Sequence, residues 1–194
     1  FAASDIILLG GGSDREQQIV CTRLQLIRDD FHTYVEDGGT VLAVCGGYQL
    51  LGHYYETPQG KMKGLSLADL YTEQKSPRLI SNVVLKNDAL PYEITGFENH
   101  GGRTWIGDLT PFGQVLYGNG NNGEDGWEGI LYRNVLGTYL HGPLLPKNPH
   151  VCDMLLQKAL ERKYGVNELE ALDDSQEIRA NRYVVRRFCG GAGE

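Results

Sequence analysis

A cysteine ends an apolar run in TVLAVCGGYQLLG, residues 40–52, and two glycines follow it. Such a run before a glycine turn is typical of a buried parallel strand that leads into a helix. A tight strand-to-helix turn exposes the side chain at its tip, and the N-terminus of the following helix favours a thiolate. The pattern therefore makes Cys45 a candidate nucleophile, and the alternative is a buried structural cysteine.

A histidine occupies a similar position in LGTYLHGP, residues 136–143, where another apolar run ends before Gly-Pro. The carboxyl ends of parallel strands face the crevice in which open α/β sheets bind ligands, so Cys45 and His141 could share one crevice. His141 could then accept the thiol proton and deliver a proton to a leaving amine.

A run of three glycines, Gly10 to Gly12, follows segment 5–9, which is predicted to be a buried parallel strand, and precedes a helix that Ser13 or Asp14 could cap. The dinucleotide fingerprint fails because Arg15 stands at its last glycine position, and no P-loop motif occurs. A flexible backbone here could instead direct an N–H group at a developing oxyanion, together with the N–H of Gly46.

The polar segment ENHGGRT, residues 98–104, is predicted to be a loop, and it carries Arg103. A guanidinium there suits the bidentate binding of a substrate carboxylate. The alternative for Arg103 is a solvated loop arginine. His100 lies in the same segment and remains a candidate functional residue. His32, His53 and His150 fall on or at the start of predicted helices and are expected to be surface or packing residues.

The elements that would position these residues alternate strand and helix, which predicts an α/β fold with an open, mainly parallel sheet flanked by helices. We expect one domain over residues 1–194, with a frayed tail at 189–194. Residues 57–133 read as shorter strands between turn-rich loops. The predicted elements are strands 5–9, 41–44, 79–85, 92–97, 113–117, 130–132 and 135–140, and helices from Ser13 or Asp14, at 30–36, 48–54, 149–164 and 174–188.

Composition excludes several classes of function. The net charge of −7 and the pI near 5.2 argue against nucleic acid or an anionic membrane surface as a partner. No apolar run approaches the roughly 20 residues of a membrane span. The four cysteines lack C-x-x-C spacing, which argues against a structural zinc site and favours reduced thiols in a cytoplasm.

Five segments in this order resemble one family: GGGSDREQ, LAVCGGYQLLG, GFENHGGRT, YGNGNN and LGTYLHGPLLPKNP. They are similar to the GatD-type glutaminase subunits of lipid II isoglutaminyl synthase, in the cobyric-acid-synthase branch of class I glutamine amidotransferases. The resemblance extends from residue 5 to about residue 165. Because that family begins with a further strand–helix–strand segment and this sequence starts without methionine, we expect that earlier residues are missing.

The resemblance implies a role for each matching residue. Cys45 would attack the side-chain amide of glutamine and form a thioester, with His141 as the base and then the acid. Gly12 and Gly46 would donate the oxyanion-hole N–H groups. Arg103 would bind the α-carboxylate of glutamine, and Gln49 would line the glutamine pocket.

One feature departs from the wider class, in which the segment H-x-E supplies an acid that orients the histidine. Here the segment is His141-Gly142-Pro143, so the local acid is missing. Since an orienting carboxylate contributes several orders of magnitude in triad enzymes, we hypothesise that a partner subunit supplies one and activates the lone subunit.

The resemblance further implies a Mur-ligase-like synthetase subunit as a heterodimeric partner, with ATP and magnesium bound there and no cofactor or metal in this chain. The ammonia would amidate the D-glutamate α-carboxyl of lipid II, in the cytoplasm at the inner membrane face and without membrane insertion. The alternatives are an amidotransferase for another acceptor, such as a cobyrinic acid derivative, a cysteine hydrolase of similar fold, and a non-enzymatic interaction module.

Overall fold

The computed structural model of the protein describes residues 1, 3–58 and 60–190, and these residues form two sheets with flanking helices. The strands are β1 (Ile6–Leu9), β2 (Thr40–Val44), β3 (Tyr54–Thr57), β4 (Gly60–Lys63), β5 (Tyr71–Lys86), β6 (Ile94–Trp105), β7 (Gly113–Tyr117), β8 (Trp127–Glu128), β9 (Ile130–Tyr132) and β10 (Val135–Thr138). The helices are α1 (Asp14–Gln25), α2 (Arg28–Glu36), α3 (Gly46–Leu50), α4 (Leu144–Lys147), α5 (Pro149–Tyr164) and α6 (Ser175–Cys189).

The first sheet has the strand order β1-β2-β10-β9, in which β2 pairs in parallel with both β1 and β10. Strand β9 pairs antiparallel with β10. The predicted α/β class and the parallel pairing are confirmed. The expectation that β1 is buried is wrong, because β1 is an edge strand and Leu8 is 66% exposed.

The second sheet is mainly antiparallel and is dominated by the long pair β5 and β6. These strands pair from Tyr71 opposite Trp105 to Leu85 opposite Ile94, with a register shift between Gln74 and Leu79. Strand β6 contains the whole segment 98–104, so the prediction of a loop there is wrong. The sequence did not indicate this strand, because its residues do not alternate between apolar and polar. Most residues of the segment are nevertheless buried, although they are polar or glycine.

Local capping chemistry fixes the helix limits. Ser13 caps α1 through a capping box with Glu16, and Gly165 ends α5 in the left-handed conformation with φ of 70°. Helix α3 begins at Gly46 and is shorter than predicted, since Tyr54 already lies in β3. Cys189 ends α6 and is therefore not frayed, and residues 191–194 of the predicted tail lie outside the described residues.

The first sheet separates two apolar clusters, because alternate residues of a strand point to opposite faces. Val41 and Ala43 belong to the cluster that contains Phe31 and Tyr48 under α2 and α3. Leu42, between them, belongs to the cluster that contains Leu136 and residues of β5, β6 and α5. Strand β2 is thus packed on both faces, and this packing fixes the position of its C-terminal end, where Cys45 follows. No helix in the described ranges has the length and apolar character that a membrane span requires.

Candidate active site

Cys45 occupies the sharp turn between β2 and α3. Its φ of 54° and ψ of −109° lie in a region that residues with a side chain rarely adopt. The backbone is held on both sides, because the Cys45 N–H donates to the Thr138 carbonyl at 2.9 Å and the Cys45 carbonyl accepts from the Gln49 N–H at 3.0 Å. The thiol is half-buried at this strained turn, in the manner of a nucleophile elbow.

Burial raises the pKa of the Cys45 thiol above its ordinary value of 9.0. A hydrogen bond from the Gly46 N–H and the positive charge of Arg78 act in the opposite direction but are outweighed. The N–H at the start of α3 does favour the thiolate, as expected, but burial outweighs it. At neutral pH the group is a thiol, and it needs a base to become a nucleophile.

His141 follows β10 and is fixed by the backbone of β6. Its N–H donates to the Phe97 carbonyl at 2.7 Å, and its Nδ1 lies 3.1 Å from the same oxygen. Because a carbonyl oxygen only accepts, Nδ1 carries the proton and Nε2 is the nitrogen with the lone pair. Burial lowers the pKa of His141, and the neighbouring His100 and Arg78 lower it further. His141 is thus a neutral imidazole that can accept a proton at Nε2.

The strand register brings these two residues to one edge of the first sheet. Val44 at the end of β2 lies opposite Thr138 at the end of β10, so Cys45 and His141 leave neighbouring strands in the same direction. The charge of Arg78 acts on the pKa of both groups, which means that both lie near one guanidinium. The register is compatible with the shared crevice that the sequence predicted, and the catalytic roles of the two residues stay a prediction.

The glycine loop lies against Cys45 through Gly11. A Cβ at Gly11 would be 3.1 Å from the Cys45 Cβ, 3.5 Å from its Sγ and 3.6 Å from the Gly46 nitrogen. Gly12, the predicted oxyanion-hole donor, is one residue further along, and its carbonyl accepts from Gln17 Nε2 at 3.2 Å. The buried Gln17 side chain also packs directly over Gly46, so it joins the two segments that carry the predicted donors.

Gln49 belongs to a buried polar network behind the Cys45 turn. Its Nε2 donates to the Tyr139 hydroxyl at 3.0 Å, and that hydroxyl lies 2.6 Å from Thr104 Oγ1. Gln49 is 3% exposed. The amide nitrogen predicted to line the glutamine pocket is therefore already engaged by Tyr139.

Two arginines lie near the candidate site. Arg103 is 6% exposed and donates to the carbonyls of Gly101, Gly102 and Pro77 at 3.3, 3.2 and 2.6 Å, so the alternative of a solvated loop arginine is wrong. Arg78 on β5 is exposed, and it donates to Asn99 through Nε and one terminal nitrogen. Sequence reasoning missed Arg78, because it belongs to no motif and only the β5–β6 pairing brings it to this edge.

A buried carboxyl holds the segment between β10 and His141. Glu128 is fully buried and accepts from the Tyr139 N–H at 2.6 Å and from the Thr138 hydroxyl at 3.0 Å. Burial raises the pKa of Glu128 from its ordinary value of 4.5 to about 8, and the nearby Glu98 adds to the rise. The Thr138 carbonyl also accepts from Cys45, so this carboxyl supports both candidate catalytic segments.

We expect the Glu128→Gln variant to gain stability over the wild type as the pH rises. The folded wild type binds the Glu128 proton more tightly than the unfolded chain, so its contribution is present below pH 4.5 and is lost as the pH rises to about 8. At about 1.4 kcal/mol per pKa unit, the difference between variant and wild type should grow by several kcal/mol across this range. Urea unfolding at a series of pH values measures it, with Glu161→Gln on the surface of α5 as the control. A difference that stays constant with pH would contradict this assignment.

Glycine at position 47 is required by the approach of α3 to β1. A Cβ at Gly47 would overlap the backbone carbonyl of Leu9, whereas a Cβ at Gly10 would meet nothing within 4 Å. We expect Gly47→Ala to lower the free energy of unfolding by about 1–3 kcal/mol and to displace the Cys45 turn. Chemical denaturation checks the first effect, and Gly10→Ala is the matched control. Equal stability of the two variants would contradict the close approach.

A family model described as the CobB/CobQ-like glutamine amidotransferase domain matches residues 2–149. The chain is 47% identical over 188 residues to the GatD subunit of the glutamine-hydrolyzing lipid II isoglutaminyl synthase of Staphylococcus aureus, which covers 96% of this chain and 76% of that protein. It is 44% identical over 180 residues to the subunit of the same name from Streptococcus pneumoniae, which covers 90% and 69%.

The fold also has a solved counterpart. A crystal structure of a glutamine amidotransferase superimposes with a TM-score of 0.58 over 80% of this chain and 79% of that one, at 15% identity. So low an identity shows a shared fold and nothing more. The family model and the sequence relatives show the family, and the solved structure shows a shared fold.

Proposed function

The chain belongs to the CobB/CobQ-like glutamine amidotransferase family, and on that premise we propose that it is the glutaminase subunit of a lipid II isoglutaminyl synthase. It is an enzyme of the glutamine amidotransferase type. One observation carries the proposal: Val44 pairs with Thr138, so a thiol and a neutral imidazole follow two adjacent strand ends. The names of the two GatD relatives support the choice of lipid II as acceptor.

The reaction begins when Cys45 Sγ attacks the side-chain amide carbon of L-glutamine and His141 Nε2 takes the thiol proton. The negative charge that develops on the amide oxygen is stabilised by the N–H groups of Gly12 and Gly46. Collapse of this intermediate breaks the carbon–nitrogen bond, and the proton on His141 leaves with ammonia. Water, deprotonated by His141, then hydrolyses the thioester to glutamate and the free thiol.

The resting electrostatics favour a neutral pair over a thiolate–imidazolium pair. The pKa of Cys45 is raised and the pKa of His141 is lowered, so transfer of the proton is uphill before substrate binds. The Phe97 carbonyl orients the His141 ring but carries no full charge to stabilise an imidazolium. An acid from the synthetase partner would supply that charge, so the isolated subunit should be slow and the complex fast.

The α-carboxylate of glutamine is bound by a guanidinium at this edge. Arg103 is the residue that the family resemblance implies, and its N–H groups are partly engaged by backbone carbonyls. Arg78 is exposed and close enough to act on both Cys45 and His141, so it is the second candidate. Gln49 supports the pocket through its contact with Tyr139.

The two arginines make different predictions. We expect Arg78→Ala to raise the KM for glutamine about tenfold to a hundredfold without changing the melting temperature, because an exposed charge-assisted contact is lost. Arg103→Ala should lower the free energy of unfolding by about 1–3 kcal/mol, because three hydrogen bonds to backbone carbonyls are lost. Glutamine saturation curves and thermal melts separate these effects. The control is Arg133→Ala, which removes an exposed ion pair with Glu36; an unchanged KM in Arg78→Ala would leave Arg103 as the carboxylate ligand.

The ammonia passes to a Mur-ligase-like partner in a heterodimer, which uses ATP and magnesium to activate the D-glutamate α-carboxyl of lipid II. This reaction belongs to peptidoglycan synthesis and to the cytoplasm at the inner membrane face. The chain itself needs no cofactor for the glutaminase half, since its own thiol and imidazole carry every step described.

The test is ammonia release from L-glutamine by the wild type and by Cys45→Ser, each with and without the synthetase subunit, ATP and lipid II. We expect low release from the lone wild type, a large increase in the complex, amidated lipid II as product, and no release from Cys45→Ser. Equal release with and without the partner would overturn the partner-supplied acid. Amidation of a cobyrinic acid derivative in place of lipid II would overturn the acceptor.

A further inference from the structure

The segment 98–104 contains a buried histidine–carboxylate pair that the proposed reaction does not use. Glu98 and His100 are 0% and 1% exposed and point to the same face of β6. His100 Nε2 lies 3.4 Å from Glu98 Oε2. Fully buried ionisable groups are costly unless they are paired and hydrogen-bonded, so a pair of this kind calls for a reason.

Hydrogen bonds engage both members of the pair. Glu98 accepts from the Asn119 N–H at 2.8 Å, from Asn119 Nδ2 at 2.7 Å and from the Gly120 N–H at 3.0 Å. His100 Nδ1 lies 2.7 Å from the Gly102 carbonyl. Both ring nitrogens of His100 thus face acceptor oxygens, an arrangement in which a doubly protonated ring can donate at both ends.

The His100 side chain is placed directly behind the candidate active site. Its ring stacks on Tyr139 with 3.6 Å between centroids and 4° between planes. Tyr139 precedes His141 by two residues, and its hydroxyl accepts from Gln49. Burial is the main cause of the lowered pKa of His141, and the nearby His100 lowers that pKa further.

We propose that Glu98 and His100 form a permanent carboxylate–imidazolium pair that acts through Tyr139 and His141 as a positioning element for the glutaminase reaction. The inference rests on the proposed function of His141 as the general base. The fixed charge adds to burial in disfavouring protonation of His141, and the stacked ring holds Tyr139 where it engages Gln49. Glu98 is needed because it keeps the buried His100 ring charged.

The charged and titratable groups that contact His100 in the described part of the chain include Glu98 and the stacked Tyr139 ring. Arg103 is also close, because it donates to the same Gly102 carbonyl that His100 Nδ1 faces. Arg78 and His100 act on His141, and Glu128 bonds the Tyr139 backbone on the other side. Replacement of His100 therefore removes one of the two groups whose charge acts on His141 and leaves Arg78 unchanged.

The first measurement is the pH profile of kcat/KM for glutamine in the assembled synthase. In His100→Gln we expect the acid limb to move to higher pH by about one unit, because loss of a nearby positive charge makes His141 easier to protonate. His53→Gln is the matched control, since His53 pairs with Asp69 at 2.9 Å on the surface, and its profile should not move. A folded His100→Gln enzyme with an unmoved acid limb would overturn the proposal.

The second measurement uses the wild type and requires neither activity nor a folded variant. Nitrogen-15 NMR of the five histidine side chains at pH 7 should show His100 with two protonated nitrogens and His141 with one. A singly protonated His100 would overturn the proposal even if the enzyme is an active glutaminase. Absence of glutaminase activity in the wild type would instead count against the proposed function, and the NMR result would stand apart from it.

Discussion

Replacement of Cys45 by alanine is expected to reduce ammonia release from L-glutamine by at least about a thousandfold in the assembled synthase. The reason is that the thiol forms the covalent intermediate. The two residues after Cys45 are glycines, so no neighbouring side chain in the turn can replace the thiol. The fold should survive, because the thiol is half-buried and alanine is smaller. Single-turnover ammonia assays and circular dichroism measure the two effects.

The matched control for this variant is Cys152→Ala, which removes a half-buried thiol from α5 and should retain full activity. Some loss of stability is expected in both variants. If Cys45→Ala kept more than about a tenth of the wild-type rate, the covalent route would be excluded.

Replacement of His141 by asparagine should also remove about three orders of magnitude from kcat, with a distinctive recovery at alkaline pH. The raised pKa of Cys45 means that little thiolate exists at pH 7 without a base. As the pH approaches and passes 9, hydroxide does what His141 does in the wild type, so the residual rate of the variant should climb with pH while that of the wild type stays level.

A pH series of glutaminase rates for wild type and His141→Asn tests this expectation, and His53→Gln serves as the control for removal of a histidine. A variant rate that stays flat up to pH 10 would mean that His141 does not act on the thiol. Retention of wild-type activity at pH 7 would remove His141 from the reaction altogether.

The frame of the fold could be read from the sequence where local chemistry decides it. Ser13 with Glu16, Asn148-Pro149 and Gly165 are capping signals within one helical turn, and the helices begin and end where they indicate. The second sheet could not be read in the same way. Its long strand β6 is rich in glycine and buried polar residues, and it is stable because residues distant in sequence satisfy them, as Asn119 does for Glu98.

The candidate site likewise contains residues that the sequence predicts and residues that only tertiary contacts bring to it. Cys45 and His141 could be predicted because each follows an apolar run and precedes glycine, and adjacent parallel strands bring such ends together. Arg78 and Gln17 reach the site only through the β5–β6 register and the packing of α1 on α3. The burial that raises the pKa of Cys45 is likewise a tertiary property, so the helix N-terminus alone could not give the net direction of the shift.

The most direct test of Cys45 as the nucleophile is covalent labelling with an electrophilic diazoketone analogue of L-glutamine, followed by peptide mass spectrometry. The account predicts one adduct, on the peptide that carries Cys45, suppressed by an excess of L-glutamine and slowed in His141→Asn. An adduct on Cys21, Cys152 or Cys189, or an unlabelled protein that still releases ammonia, would contradict it.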